Sequence, residues 1–232
     1  MDQPVLNRRQ TREVDRRAVN EYGMSTLVLM ENAGRGVADK LMELGARGPV
    51  LVCCGKGNNA GDGFVLARHL DLRSVPVEVL VWSEADDLSD DAGLNFAILQ
   101  KSGVPIEIFG KRHDAARLAH FLAKAEWVVD ALLGTGAQGE PRAPLDAVIA
   151  QLNDSQRPIL AIDLPSGLDC DTGAAATRTI RACHTCTFVA AKPGFLAPGA
   201  DAYTGQVDVL DIGVPRRLVE AISSGVTGPA AK

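Results

Sequence analysis

Residues 50–69 read Val50-Leu-Val-Cys-Cys-Gly-Lys-Gly-Asn-Asn-Ala-Gly-Asp-Gly-Phe-Val-Leu-Ala-Arg-His69. Val50–Cys54 is an apolar run of the kind found in a parallel strand buried on both faces. Gly55 and Gly57 allow a sharp turn and a close approach of backbone N–H groups to a ligand. The helix that begins after them presents unpaired N–H groups and the positive end of its dipole, which suits phosphate. Gly55–Ala60 fits the dinucleotide fingerprint with alanine in its third position. A tight strand–helix turn capped by Asn and Asp would look the same. Lys56 lies between the glycines with no Ser or Thr after it, unlike a phosphate-binding loop of the phosphoryl-transfer type. Asn58, Asn59 and Asp62 are additional polar groups where a ligand would sit.

Working outward, strands are expected at about 49–54, 77–82, 105–109, 126–130, 158–162, 184–189 and 206–210. Helices are expected at 10–22, 25–45, 61–72, 90–101, 113–124 and 143–152, the first two from apolar residues such as Val14, Ala18, Leu27, Met30, Val37 and Leu41 at helical spacing. Strands alternating with helices predict an α/β, Rossmann-like three-layer sandwich. Its central sheet is mostly parallel, with right-handed crossovers, and extra N-terminal helices precede it. One domain is expected over residues 1–222, followed by a small, polar, disordered tail at 223–232.

In such sheets ligands bind beyond the carboxyl ends of the strands. Three segments leave those ends: 55–62, 131–141 and 163–169. Asp130 ends Trp127-Val-Val and Asp163 ends Ile159-Leu-Ala-Ile, so each carboxylate either faces the glycine loop or caps a turn. Gly134-Thr-Gly-Ala-Gln-Gly139 is a second glycine-rich loop, able to serve as a connector or to offer N–H groups to a pyrophosphate.

At 232 residues the chain can bury a sizeable core. Its net charge of −5 and pI near 5.4 argue against a nucleic-acid surface. No apolar run approaches the ~20 residues that span a bilayer. Met1-Asp-Gln-Pro4 has no secretory pattern. Of the five cysteines, Cys53 and Cys54 fall inside a buried strand, which reads as reduced thiols in a cytoplasmic protein. Cys183-His-Thr-Cys186 lacks the second pair of a zinc site, and it runs into a strand rather than a redox helix.

The loop at 55–62 resembles the signature of the NAD(P)HX epimerases, the YjeF N-terminal domains that include the animal apolipoprotein A-I binding proteins. Residues 12–42, Val128–Gly136, Ile162–Asp169, Phe188–Gly194 and Gly205–Gly213 resemble further segments of that family, in order, over roughly 10–215. Ala60 stands where the family has glycine, and Cys183 lies near a usual aspartate. The resemblance implies a substrate site formed by Asn58, Asn59, Ala60, Gly61, Asp62, Gly134, Thr135, Gly136, Ala137, Gln138, Gly139, Glu140 and Asp163. It also implies a potassium ion held by Asn59, Asp130 and Ser166, and an amide, a carboxylate and a hydroxyl are the oxygen ligands a hard cation takes. From the sequence alone, Ser166 reads better as a turn residue after Pro165.

The implied activity is interconversion of the R and S epimers of hydrated NADH and NADPH, with Asp130 or Asp163 as acid–base carboxylate. A homodimer is expected through the N-terminal helices, together with a separate NAD(P)HX dehydratase as functional companion. Lys192 could approach a phosphate or stand in solvent. Two alternatives stay open: a non-catalytic nucleotide-binding scaffold, and an NAD-dependent dehydrogenase with Glu84 on a ribose.

Overall fold

A computed structural model describes residues 4–225. Its seven strands form one sheet in which every neighbouring pair is parallel. They are β1 (Val50–Cys54), β2 (Val77–Val81), β3 (Ile106–Ile108), β4 (Trp127–Ala131), β5 (Ile159–Ile162), β6 (His184–Phe188) and β7 (Gln206–Leu210). The order is β3-β2-β1-β4-β5-β6-β7. The chain therefore reverses its direction of travel between β1 and β4, and a crevice opens there at the carboxyl edge.

The side-chain period of two divides the interior into two cores. Val50, Val52 and Cys54 face one side, with Val79, Val129, Leu160 and Cys186. Leu51, Cys53, Leu80, Val128 and Ala161 face the other. The first side is covered by α1 (Arg8–Tyr22), α2 (Thr26–Glu43), α3 (Asn58–Asp71), α4 (Asp90–Ser102) and α8 (Arg216–Ser223), and the second by α5 (Ala115–Lys124) and α6 (Leu145–Asp154). A four-residue α7 (Asp201–Thr204) precedes β7.

The sandwich and the order of elements follow the sequence reading, with four differences. The sheet is wholly rather than mostly parallel. α3 starts at Asn58, so the two asparagines form its first turn instead of a loop. The short α7 and the terminal α8 are additional. In α8 only Leu218 and Ile222 are buried, and that pair is too sparse to stand out as a helical stripe. The expected tail begins inside an ordered element, since Ser223 closes α8; its remainder, 226–232, lies outside the described residues, as do the first three residues of the leader reading.

The Cys183–Cys186 segment is strand, as read, and all five thiols are unpaired. Burial pushes the Cys186 thiol up to about 12, with Asp208 adding to the effect, and raises that of Cys183.

A homodimer is expected through the apolar surface of the first two helices. That surface is consumed within the chain. Val14, Ala18, Leu29, Met30, Ala33, Val37, Ala38 and Leu41 are all buried, which leaves Tyr22 and Val28 as the exposed large apolar side chains of these helices.

Candidate active site

A cleft of about 860 Å³ lies over the β1/β4 switch point. Its floor and walls come from the first turn of α3 (Asn58, Asn59, Asp62), the 134–140 loop, Asp163 after β5, and Phe188–Val189 after β6. α1 contributes Thr11, Arg12 and Asp15, and Trp82 after β2 also lines it. Every predicted substrate-site residue lines this cleft except Ala60 and Gly61. Those two are buried in α3 behind the lining residues. The alanine that departs from the family sits inside a helix with negative φ, so its methyl costs nothing sterically.

The two fingerprint glycines have different reasons to be glycine. A Cβ on Gly55 would lie 2.1 Å from the Leu132 carbonyl oxygen, so this residue lets the β1 and β4 loops touch. A Cβ on Gly57, the N-cap of α3, would meet nothing within 4 Å. Gly57 therefore leaves open space at the helix N-terminus. Ser89 donates to Asn58 Oδ1 at 2.9 Å and pins the first residue of that helix.

Asp130 is fully buried and does not line the cleft. Strand parity turns it toward the α5/α6 face with Val128 and Leu132. Its carboxylate accepts from the Ser166 amide at 2.8 Å, the Ser166 hydroxyl at 2.7 Å and the Leu132 amide at 3.2 Å. Burial pushes its carboxyl up to about 6 against these hydrogen bonds. Asn59 Nδ2 donates to the Leu133 carbonyl at 3.1 Å, and the Ser166 hydroxyl contacts the same carbonyl at 3.3 Å. The Asn59 Oδ1 atom is buried without a partner. Asn59, Asp130 and Ser166 thus do come together, around Leu133, with one oxygen left unsatisfied. One carboxylate, an amide oxygen, a hydroxyl and a carbonyl suit a hard monovalent cation. Among the described residues no group of three His, Cys, Asp or Glu side chains is placed for a metal ion.

Asp163 faces the cleft in the left-handed region, with φ of +62°. Its Oδ1 accepts from the Thr187 hydroxyl at 3.1 Å and lies 3.4 Å from Lys192 Nζ. Lys192 neither reaches out to phosphate nor stands in solvent: it is fully buried and also donates to the Phe188 and Ala190 carbonyls, each at 3.1 Å. Asp62, on α3, makes no hydrogen bond or ion pair among the described residues, and burial raises its carboxyl well above the usual range, with the charges of Asp163 and Asp15 adding. Glu84, the candidate ribose ligand, is not among the residues that line the cleft.

Sequence reasoning missed three groups. Arg8 ties the site together. It donates to the Thr135 carbonyl at 2.7 Å through Nε and to Asp169 at 2.8 Å, so the second and third loops are clamped to α1. Asp15 and Arg12 face the cleft from the same helix. The only sequence signal for them was a polar stripe beside Val14 and Ala18, which looks like any solvated helix face. The three buried side-chain polar atoms without a partner among the described residues are Thr11 Oγ1, Asn59 Oδ1 and Trp82 Nε1, and all three belong to cleft-lining residues. Buried polar groups are normally satisfied, and these three gather at the cleft.

The chain is 46% identical over 225 residues to the NAD(P)H-hydrate epimerase of Pirellula staleyi, covering 96% of this chain and 98% of that one. It is 41% identical to the protein of the same name from Rhodopirellula baltica, covering 95% and 88%. The bifunctional NAD(P)H-hydrate repair enzyme of Salinibacter ruber is 39% identical, with 91% of this chain matching 41% of that longer protein. A yeast protein of known crystal structure shares the fold, with a TM-score of 0.78 at 24% identity over 98% of this chain and 96% of that one. The model of the family described as YjeF-related protein N-terminus matches residues 26–194, and the chain belongs to that family.

Proposed function

We propose that this chain is an isomerase that epimerises hydrated NADH and NADPH. The observation that carries the reading is the pairing, in one cleft, of a helix N-terminus shaped for a pyrophosphate with the carboxylate of Asp163. The full-length likeness to two proteins named as NAD(P)H-hydrate epimerases supports it. In the hydrate, the carbon next to the ring nitrogen carries a hydroxyl group. Inversion breaks and remakes a bond at that carbon. If the nitrogen lone pair expels the hydroxyl as water, an iminium cation forms and water returns to the other face. A carboxylate that moves the proton contributes roughly 10²–10⁴-fold. Its negative charge also stabilises the cation. Of the two carboxylates singled out from sequence, Asp163 suits this work because it faces the cleft. Asp130, enclosed by Ser166 and Leu132, suits the cation shell instead.

Asn59 Oδ1, Asp130 and Ser166 would hold potassium, and the unsatisfied Asn59 oxygen supports this. The ion would fix the carboxyl ends of β1, β4 and β5 relative to one another. The N–H groups of the 134–140 loop and of α3 would bind the diphosphate. A cytoplasmic location is supported by five unpaired cysteines. The homodimer rests on the family resemblance. The fusion of this domain in longer repair enzymes supports a functional partnership with a dehydratase.

The test mixes purified protein with separated R and S hydrates in potassium buffer and follows them by chromatography. The expected result is equilibration of both epimers with no change in redox state. Folded protein that leaves the spontaneous rate unchanged would overturn the reading. Dinucleotide binding without turnover would point to the scaffold alternative.

A further inference from the structure

α1 lies outside the segment matched by the family model, and none of its residues is among the site residues the resemblance implies. It nevertheless forms one wall of the cleft through Thr11, Arg12 and Asp15. Val14 and Ala18 anchor the helix in the core, so the position of Asp15 is fixed by packing. Asp15 is exposed, lines the cleft, and makes no side-chain hydrogen bond or ion pair among the described residues. It differs in this from Asp163, which is held by Thr187 and Lys192. A carboxyl held on a rigid helix, facing a cleft that contains unpartnered buried atoms at Asn59 and Trp82, is placed to meet a ligand.

We infer that Asp15 is a second catalytic residue of the epimerisation, working as the proton donor opposite Asp163 as acceptor. The inference rests on the epimerase reading. In the first step the Asp15 carboxyl gives its proton to the substrate hydroxyl. The carbon–oxygen bond breaks with its electron pair leaving on water. The nitrogen lone pair forms the carbon–nitrogen double bond, and Asp15 becomes a carboxylate. In the second step water adds to the other face of that carbon and the electron pair returns to nitrogen. The Asp163 carboxylate takes the proton released by the water. The sum is the inverted hydrate and one proton moved from Asp15 to Asp163. The reverse reaction starts from that protonation state, as an equilibration requires.

The electrostatics agree with this division. Desolvation in the concave site pushes the Asp15 carboxyl up to about 6, Asp163 adds to the rise, and Lys192 opposes it. The charges that act on Asp15 are Asp163 after β5, Lys192 after β6 and Asp62 on α3, and Lys56, Asp91, Lys111, Glu140, Arg142 and, on its own helix, Arg12 line the same cleft.

The experiment compares wild type, Asp15→Asn and Asp15→Glu for kcat, KM and pH profile, with melting curves as the folding control. A measurable wild-type rate is required first, and its absence would remove the epimerase reading itself. Given that rate, Asp15→Asn should lower kcat by about a hundredfold with KM changed less than about threefold. The fall in wild-type rate as the pH rises past about 6 should vanish in this variant, and Asp15→Glu should recover part of the rate. An unchanged kcat in folded Asp15→Asn would overturn the inference. So would a loss confined to KM with the pH profile intact, which would make Asp15 a binding residue.

Discussion

At the residue scale the site is defined by how its carboxylates are housed. Lys192 is fully buried, with Asp163 as its acidic partner at 3.4 Å. Removing one member of a buried pair leaves the other uncompensated, at a cost of about 3 kcal/mol. Lys192→Met should therefore lower the melting temperature by roughly 6–12 °C for a chain of this size. The double variant Lys192→Met/Asp163→Asn should recover part of that loss, and equal melting of the single and double variants would show that the pair is not coupled. Asp62 gives a pH dependence of definite sign. Burial raises its folded-state pKa, so its stabilising contribution is complete below about pH 4 and is lost as pH rises through the folded value. Urea unfolding should show the wild type losing more stability between pH 5 and pH 8 than Asp62→Asn does. Asp62 and Asp163 were legible in the sequence because each follows an apolar strand or its glycine turn. Lys192 was not, because a lysine before Pro-Gly reads the same in solvent and in a core; only tertiary packing buries it. Asp130 was legible as a candidate for both the acid–base role and the cation shell, and the sequence did not decide between them. Which face of β4 it occupies, and that Ser166 reaches it, depend on a loop thirty-six residues further along the chain.

At the element scale the cleft exists because α2 and α3 pack closely enough to set the first turn of α3 over the switch point. Gly34 makes this possible: a Cβ there would lie 2.5 Å from Val65 Cβ and 2.6 Å from the Asp62 carbonyl oxygen. Gly34→Val should destabilise by about 1–3 kcal/mol through overpacking. It should also raise KM, because the displaced backbone carries Asn59 and Asp62; an unchanged KM alongside a lowered melting temperature would separate the packing from the site. Arg8 acts at the same scale, joining α1 to the 134–140 loop through Thr135 and to the third loop through Asp169. Arg8→Ala should loosen both loops, seen as faster amide exchange across 134–140 with the sheet protected as before. The strand–helix alternation was readable from periodicity alone. The start of α3 was not, because asparagines that begin a helix are indistinguishable in sequence from asparagines in a turn. α8 was missed since its two buried residues acquire meaning only against α1, where Gln10 donates to the Ile222 carbonyl at 3.3 Å.

At the scale of the whole molecule, two cores hold one parallel sheet, and the site is the seam where the strand order reverses. The N-terminal helices spend their apolar faces inside the chain, so the homodimer expected from the family needs an independent measurement: light scattering should give twice the 24.5 kDa chain mass at micromolar concentration. The cation prediction belongs to this scale as well, because its ligands come from α3, β4 and the loop after β5, and one ion would join all three. Asn59 Oδ1 carries an unsatisfied buried lone pair in the folded chain, whereas water would satisfy it in the unfolded chain. A cation bound there stabilises only the folded state, so stability should rise with its concentration, by about 2.7 kcal/mol at a hundredfold excess over its dissociation constant. Melting in potassium chloride should accordingly exceed melting in tetramethylammonium chloride at equal ionic strength, since the organic cation is too bulky for the cluster. Asn59→Ala removes the unsatisfied oxygen and should abolish the difference between the two salts while the chain remains folded. If wild type melts identically in both salts and turns over at the same rate, the cluster around Leu133 is a polar strut held by hydrogen bonds alone.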